Sequence, residues 1–507
     1  MKTVHVLYCR GYFRNRKQLL GELNLPEDTG DTALLEAGYL RWGAGLPGHL
    51  YGSFAVALTD GETTVCFRDA MGGEPFFYCV TEDGTLLAGS DVNEILADKR
   101  YHREVDRRAL QNYMNFGYPV GEGTLWKGIC KLMPGRMLKV QAGKAALSAW
   151  YRPVYTPEYG RSEEEWAEEI GDTLRIILEE DRENTGLDRA GSFLSGGVDS
   201  SYLLALSGVR RAFGIGYPGE KVSEIPLAEK TARALGVSFS GLAISPEEYF
   251  DVIPVMVRRL GLPLADASAP AFAIGCERVA RACDTCYSGE GADEFFAGYR
   301  IYRLADRLGQ TGGPWHYGCA GVMEAEDAAQ LLMQDRVYPC EDLVRDLYAE
   351  TEGGEHLSRL LRIDCALWLE GDILFGVRRS SESCGLRLLL PYLDRRMFEL
   401  SARIPSALKW KEGTEKYILR KAAEKRIPAE TAFRPKTGFS VPVREWMRRE
   451  PFRERMEALL FSDLSAHFLD RSRLRRYWTA FEAGNDALWQ ILYAAFVLIV
   501  WLREYGI

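Results

Sequence analysis

"GSFLSGGVDSS", residues 191–201, is the stretch that decides the fold. An apolar strand end, Phe193-Leu194, runs into Ser195-Gly196-Gly197, then Asp199, Ser200, Ser201 and a helix-forming run. The two glycines let backbone N–H groups close on an anion, and the N-terminus of the following helix adds about half a positive charge. Ser195, Ser200 and Ser201 offer hydroxyl donors. No Gly-Lys-Ser/Thr follows, so the turn differs from the loop that serves γ-phosphate transfer and is read as a pyrophosphate binder. Asp199 repels a bare phosphate, which implies a bridging cation, most simply Mg²⁺.

Working outward, strands and helices alternate. The spacing predicts strands at 191–194, 211–217, 238–243 and 284–287, with helices between them beginning near Ser200, Glu224, Pro246 and Pro270. Such alternation predicts a parallel, doubly wound sheet, with ligands bound beyond the carboxyl ends of its strands. A second acidic turn, "SGEGADEFFAGY" (288–299), follows the last of these strands. Asp293 is expected to share the metal with Asp199, which leaves Glu290 to contact a substrate. A third stretch, "FRPKTGFSVP" (433–442), sets Lys436 in a loop between Pro435 and Gly438. Beside a metal-pyrophosphate site that lysine would neutralise charge developing in the transition state.

Upstream, residues 1–150 read as β-rich. Asp60-Gly61 and Asp83-Gly84 each sit between alternating apolar runs, the pattern of a tight hairpin. "YRPVYTPEYGRS" reads as a linker, and Ser162 with Glu165 as a capping box that opens a helix carrying Trp166, Ile170, Leu174 and Ile177 on one stripe. Beyond about residue 300 the pattern is mostly helical. A chain of 507 residues exceeds one core; the expected units are 1–150 and 151–507.

Net charge of −9 without a long basic run argues against a nucleic-acid partner. The start, Met1-Lys2-Thr3, has no signal-peptide pattern. The apolar run Leu488–Leu502 is short for a bilayer and reads as a buried helix. Eleven cysteines without framework spacing point to a reducing cytoplasm, and the lone pair Cys283 and Cys286 to core thiols rather than zinc.

At the three charged stretches the chain resembles the asparagine synthetase B family. "SGGVDS" (195–200) looks like its pyrophosphate loop, "SGEGADE" (288–294) like its second acidic motif, and "RPKTGF" (434–439) like the loop with its catalytic lysine. "PLADASAPAF" (263–272), "LPYLD" (390–394), "EKYILRKA" (415–422) and "NFGYPVGEGTLWKGICKLMPGRML" (115–138) extend the likeness over almost the whole chain. The resemblance implies an N-terminal Ntn-hydrolase-like β-sandwich, shortened here, and a C-terminal ATP-pyrophosphatase domain with a helical end. It implies ATP and Mg²⁺, a nucleotide held by Leu194, Ser195, Gly196, Gly197, Asp199, Ser200 and Gly289, a metal on Asp199 and Asp293, and catalysis by Lys436 and Glu290.

The chain departs from the family in three regions. Lys2 follows Met1 where the family presents a nucleophilic cysteine. The Asn-Gly that helps hold the oxyanion is Arg10-Gly11, and the glutamine-holding Asp-Thr-Glu is Asp31-Thr32-Ala33, whereas "FRDAMGGEPFFY" (67–78) keeps the family pattern. Cys9 lacks the free α-amine that would activate it. At 378–391 the family's Asp-Arg is Arg378-Arg379, with Arg379 kept, its Ser-Met-Ala turn is Ser381-Glu382-Ser383, and its Glu-x-Arg is Arg387-x-Leu389; Ser223-Glu224 stands for its Asp-Glu. Read as neighbours of the substrate pocket, these swaps point to an acceptor carboxylate other than aspartate. The expected activity is AMP-forming amide synthesis without intrinsic glutamine hydrolysis, the amine being ammonia, ammonia from a separate amidotransferase, or an amine of the substrate, with a homodimer as one assembly. An intramolecular cyclase resembling β-lactam synthetase or lasso-peptide cyclase, and a catalytically silent nucleotide-binding regulator, are the alternatives.

Overall fold

Strand β2 (Gly52–Thr59) shows how the N-terminal half is layered. Phe54, Val56 and Leu58 point into one apolar cluster and Ala55 and Ala57 into another, so both faces of the strand are buried. A five-stranded antiparallel sheet runs in the order β1 (His5–Phe13), β2, β3 (Thr63–Arg68), β7 (Arg136–Gln141), β8 (Lys144–Ala149). A second sheet orders β5 (Leu86–Gly89), β4 (Phe77–Val80), β6 (Cys130–Lys131). Both Asp-Gly hairpins form: β2 with β3, and β4 with β5. The computed structural model describes residues 3–303, 318–319, 321–351, 354–436 and 438–507.

The C-terminal half is built on a parallel sheet. Its strands are β9 (Ala190–Phe193), β10 (Arg211–Gly216), β11 (Ser238–Ala243), β12 (Thr285–Tyr287) and β13 (Arg387–Leu389), in the spatial order β11-β10-β9-β12-β13. Strand order reverses between β9 and β12, and their carboxyl ends carry the first and second charged turns. That reversal is where open α/β sheets leave a crevice for ligands. The helices Val198–Ser207, Ile225–Ala234, Pro246–Leu260 and Ser268–Ala280 start close to where the sequence pattern places them.

Residues 151–162 lack regular structure but are no loose tether. The Thr156 and Glu158 N–H groups donate to the carbonyls of Ala402 and Arg403, and the Tyr155 ring meets Phe398 edge-on. The capping box of Ser162 and Glu165 is formed. The last helical run, Asp486–Tyr505, is long and apolar enough to cross a membrane by composition, yet every residue from Ile491 to Leu502, within its α-helix Trp489–Tyr505, is buried in the protein. Cys283 and Cys286 are buried thiols, and every cysteine is free.

Charged groups stitch the halves together. Arg14 bonds Asp181 at 2.9 Å and Asp394 at 3.0 Å. Glu370 joins Arg68 at 2.8 Å and Lys131 at 2.7 Å, all three buried. Arg378 lies 3.3 Å from Glu74 and donates to the Gly73 carbonyl, and Arg379 pairs with Asp91 and Glu382. This corrects the sequence reading of 378–391. Arg378 and Arg379 face the N-terminal half, Arg387 is exposed at the start of β13, and Leu389 is buried under it. None of the swapped positions lines the cavity described next, and of the Ser223-Glu224 pair only the kept Glu224 does.

Candidate active site

The turn after β9 is shaped by Gly196, whose φ of +78° favours glycine. A Cβ there would stand 3.0 Å from the Ala228 nitrogen, so the helix Ile225–Ala234 can approach only a glycine. Ser195 and Ser200 hold the turn: the Ser195 N–H donates to Ser200 Oγ and the Gly197 N–H to Ser195 Oγ, each at 3.2 Å. Ser201, expected to face the anion, does not line the cavity; it is fully buried, because the helix turns it toward the core.

The crevice between β9 and β12 is a cavity of about 410 Å³. It gathers every proposed site residue: Leu194, Ser195, Gly196, Gly197, Asp199, Ser200, Gly289, Glu290, Asp293 and Lys436. Strand β12 brings the second turn beside the first, and the Pro435 loop adds Lys436 from the C-terminal region. Lys436 Nζ bonds Asp293 Oδ2 at 2.7 Å and lies 5.6 Å from the centre of the Tyr299 ring.

Sequence reasoning missed Lys416. Its Nζ bonds Asp199 Oδ2 and sits 2.7 Å from Asp293 Oδ1, so one ammonium joins the two carboxylates expected to share a metal. Its backbone is left-handed, φ +54°, a conformation a non-glycine residue holds only where its surroundings impose it. Gly298 makes room: a Cβ there would meet Lys416 Cε at 2.1 Å and Asp293 Oδ1 at 1.9 Å. The run "EKYILRKA" also braces Lys436. Glu415 Oε1 accepts the Lys436 N–H at 2.8 Å and pairs with Arg420, which donates to the carbonyls of Ala432 and Arg434. Arg434 donates to the Gly196 carbonyl at 2.7 Å.

The local charges are strongly coupled. Burial works to raise the Asp293 carboxyl, but the Lys416 and Lys436 ammoniums overcome it and hold it down at about 2. Burial works against the Lys436 charge, and Asp293 with Asp199 more than restores it. Glu290 is raised by burial, offset in part by the Ser288 hydroxyl at 3.1 Å. Glu294, hydrogen-bonded to the Tyr299 hydroxyl at 2.6 Å, is pushed up to about 8 by burial and then by the Asp293 charge.

The metal fit rests on Asp199. Its Oδ1 is buried with no hydrogen-bond partner, so one carboxylate oxygen in the crevice has capacity left for a cation. Among the described residues no group of three or more His, Cys, Asp or Glu can hold a metal ion. The donor set therefore suits Mg²⁺ that arrives with a phosphate chain and takes only one or two protein carboxylates.

A doubly wound sheet with a glycine-rich anion turn and paired carboxylates at its switch point is the architecture of a nucleotide-dependent enzyme. The asparagine synthase family model matches residues 185–503 and the glutamine amidotransferase domain model residues 5–151. The chain belongs to the asparagine synthase family and is an ATP-dependent ligase that forms C–N bonds. A putative asparagine synthetase (glutamine-hydrolyzing) of Mycobacterium bovis is 29% identical over 98% of this chain and 84% of its own. Asparagine synthetase (glutamine-hydrolyzing) 1 of Bacillus subtilis is 28% identical over 87% of this chain and 75% of its own. Among solved structures, the glutamine phosphoribosylpyrophosphate amidotransferase of B. subtilis matches 47% of this chain and 45% of its own at 14% identity, with a TM-score of 0.22, too slight a likeness to argue from.

Proposed function

We propose that the enzyme adenylates a carboxylic acid and passes the acyl group to an amine, without hydrolysing glutamine itself. The observation that carries this is the joining of Asp199 and Asp293, from turns at the ends of β9 and β12, by Lys416 next to the glycine turn. The substrate carboxylate attacks the α-phosphorus of ATP, the bond to the bridging oxygen breaks, and pyrophosphate leaves into the Ser195–Ser200 turn. Mg²⁺ held by Asp199 and Asp293 would neutralise the phosphate charge. Lys436, steadied by Glu415, meets charge as it moves to the leaving group. The amine then attacks the acyl-adenylate, AMP departs, and the amine proton passes to Glu290, whose burial-raised carboxyl suits a general base. Holding both reactants in one crevice supplies much of the acceleration.

Three observations support the loss of glutamine hydrolysis. Arg10 is exposed, Asp31 is bound to Arg16 at 3.1 Å, and the Cys9 thiol is pushed up to about 12 by burial, then by Asp31 and Glu74. A thiol so placed is a poor nucleophile. The free cysteines suit a cytoplasmic enzyme.

Carboxylate-dependent ATP–pyrophosphate exchange tests the reading, with Asp199→Asn as the control expected to abolish it. Exchange that survives in Asp199→Asn counts against the assigned site. Glutamate release from glutamine alone at about 1 s⁻¹ or faster counts against the lost glutaminase.

A further inference from the structure

The cavity has two wings. One, beside the phosphate turn, is lined by Leu194 and Leu227 with Phe213 and Ile215 of β10. The other is a wall of Tyr299, Trp368, Ile373 and Val377. The wall adjoins the reacting position: Trp368 Nε1 donates to the Tyr299 hydroxyl at 3.3 Å, and the Tyr299 ring faces Lys436. Trp368 and Ile373 project from a π-helical segment, Cys365–Leu374, inside a longer helix. Such widened turns commonly mark functional sites.

The wall itself carries no charged side chain. Among the described residues the cavity is lined by four cations, Lys416, Lys436, Arg420 and Arg434. Lys416 and Lys436 pair with Asp199 and Asp293. Arg420 is held by Glu415 and Arg434 by the Gly196 carbonyl. Three further carboxylates line the cavity, Glu224, Glu290 and Asp266; Glu290 receives a hydrogen bond from Ser288, and Asp266 receives its hydrogen bonds from Ser268. Aspartate would bring a second carboxylate beside these like charges, and Arg434, whose hydrogen bond goes to the neutral Gly196 carbonyl, stands at the phosphate turn and not on this wall, so burying that charge here is costly.

We infer that the acceptor is a monocarboxylic acid with an apolar, preferably aromatic, body lying against the Trp368 wall, and not an α-amino dicarboxylate. This rests on the adenylation reading above. The carboxylate lies near Lys436, and the body takes the place that an amino acid's α-carboxylate would need.

Hydroxylamine trapping tests it. The enzyme is given ATP, Mg²⁺ and hydroxylamine with phenylacetate, 3-phenylpropanoate, hexanoate or aspartate, and hydroxamate is measured. The expected result is a rate with at least one apolar acid about 10-fold or more above that with aspartate. Trp368→Ala should bring that ratio toward one with ATP affinity unchanged, and Trp368→Phe should keep most of it. Aspartate as the best acid, or a ratio indifferent to Trp368→Ala, overturns the inference and leaves the ligase reading standing. No hydroxamate from any acid, aspartate included, overturns the ligase reading and this inference with it.

Discussion

Lys436 sits within 2.7 Å of Asp293, yet its proposed work is on the substrate. Its charge helps most when pyrophosphate begins to leave, so Lys436→Ala should lower kcat by about 10²–10³ with ATP affinity little changed. Lys436→Arg keeps the charge but not the compact ammonium and should rescue only part of the loss. Stopped-time turnover and equilibrium ATP binding on both variants check this; lost ATP affinity with intact kcat would mean ground-state binding. Glu294 makes a second prediction. With its carboxyl at about 8 against an ordinary 4.5, the folded state binds more protons than the unfolded state between those values. Stability therefore falls as pH rises through that window. Glu294→Gln, which still accepts the Tyr299 hydroxyl hydrogen bond, should flatten this slope in denaturant midpoints measured at about pH 5 and pH 8.5. An unchanged slope would assign the pH dependence to other groups. Lys416 was beyond reach of sequence reasoning because its partner Asp199 lies 217 residues away, and a lysine in an amphipathic run looks like solvated surface.

Among the elements, the loop that carries Lys436 is clasped by the start of the helix Tyr417–Ala423. Arg420 spans the Ala432 and Arg434 carbonyls and the Glu415 carboxylate with one guanidinium, an arrangement lysine cannot reproduce. Arg420→Lys should lower kcat about 10-fold through a misplaced Lys436, with KM for ATP nearly constant. A fall in thermal stability with full kcat would make Arg420 purely structural. The strands β9 to β12 were legible because each is a short apolar run bounded by glycine or a charged turn. β13 was not: its three residues show no alternation, and only pairing with β12 makes them a strand. The charge swaps at 378–389 misled for a related reason. Nearness in sequence to a pocket motif says nothing about direction, and the helix Phe375–Glu382 turns Gly376 and Val377 to the cavity but Arg378 and Arg379 to the other half of the molecule.

At the scale of the whole molecule, the N-terminal half is bound to the catalytic half through buried charge. Burial works to raise Glu370, but Lys131 and then Arg68 hold it below the usual carboxylate range. Glu370→Ala would strand both cations in the interior at a cost of about 3–5 kcal/mol, read from denaturant unfolding. A loss below about 1 kcal/mol would mean water reaches the pair. Glu370 lies on the same π-helical segment as Trp368, so the N-terminal half braces the wall proposed to hold the acceptor. The central claim, AMP-forming ligation at the switch point of the parallel sheet, is tested most directly by the phosphorus products of one turnover mixture. Enzyme, ATP, Mg²⁺, an ammonium salt and the best trapped acid are followed by ³¹P NMR. The account predicts AMP and pyrophosphate in equal amounts, matched by amide; ADP and inorganic phosphate as the products would contradict it.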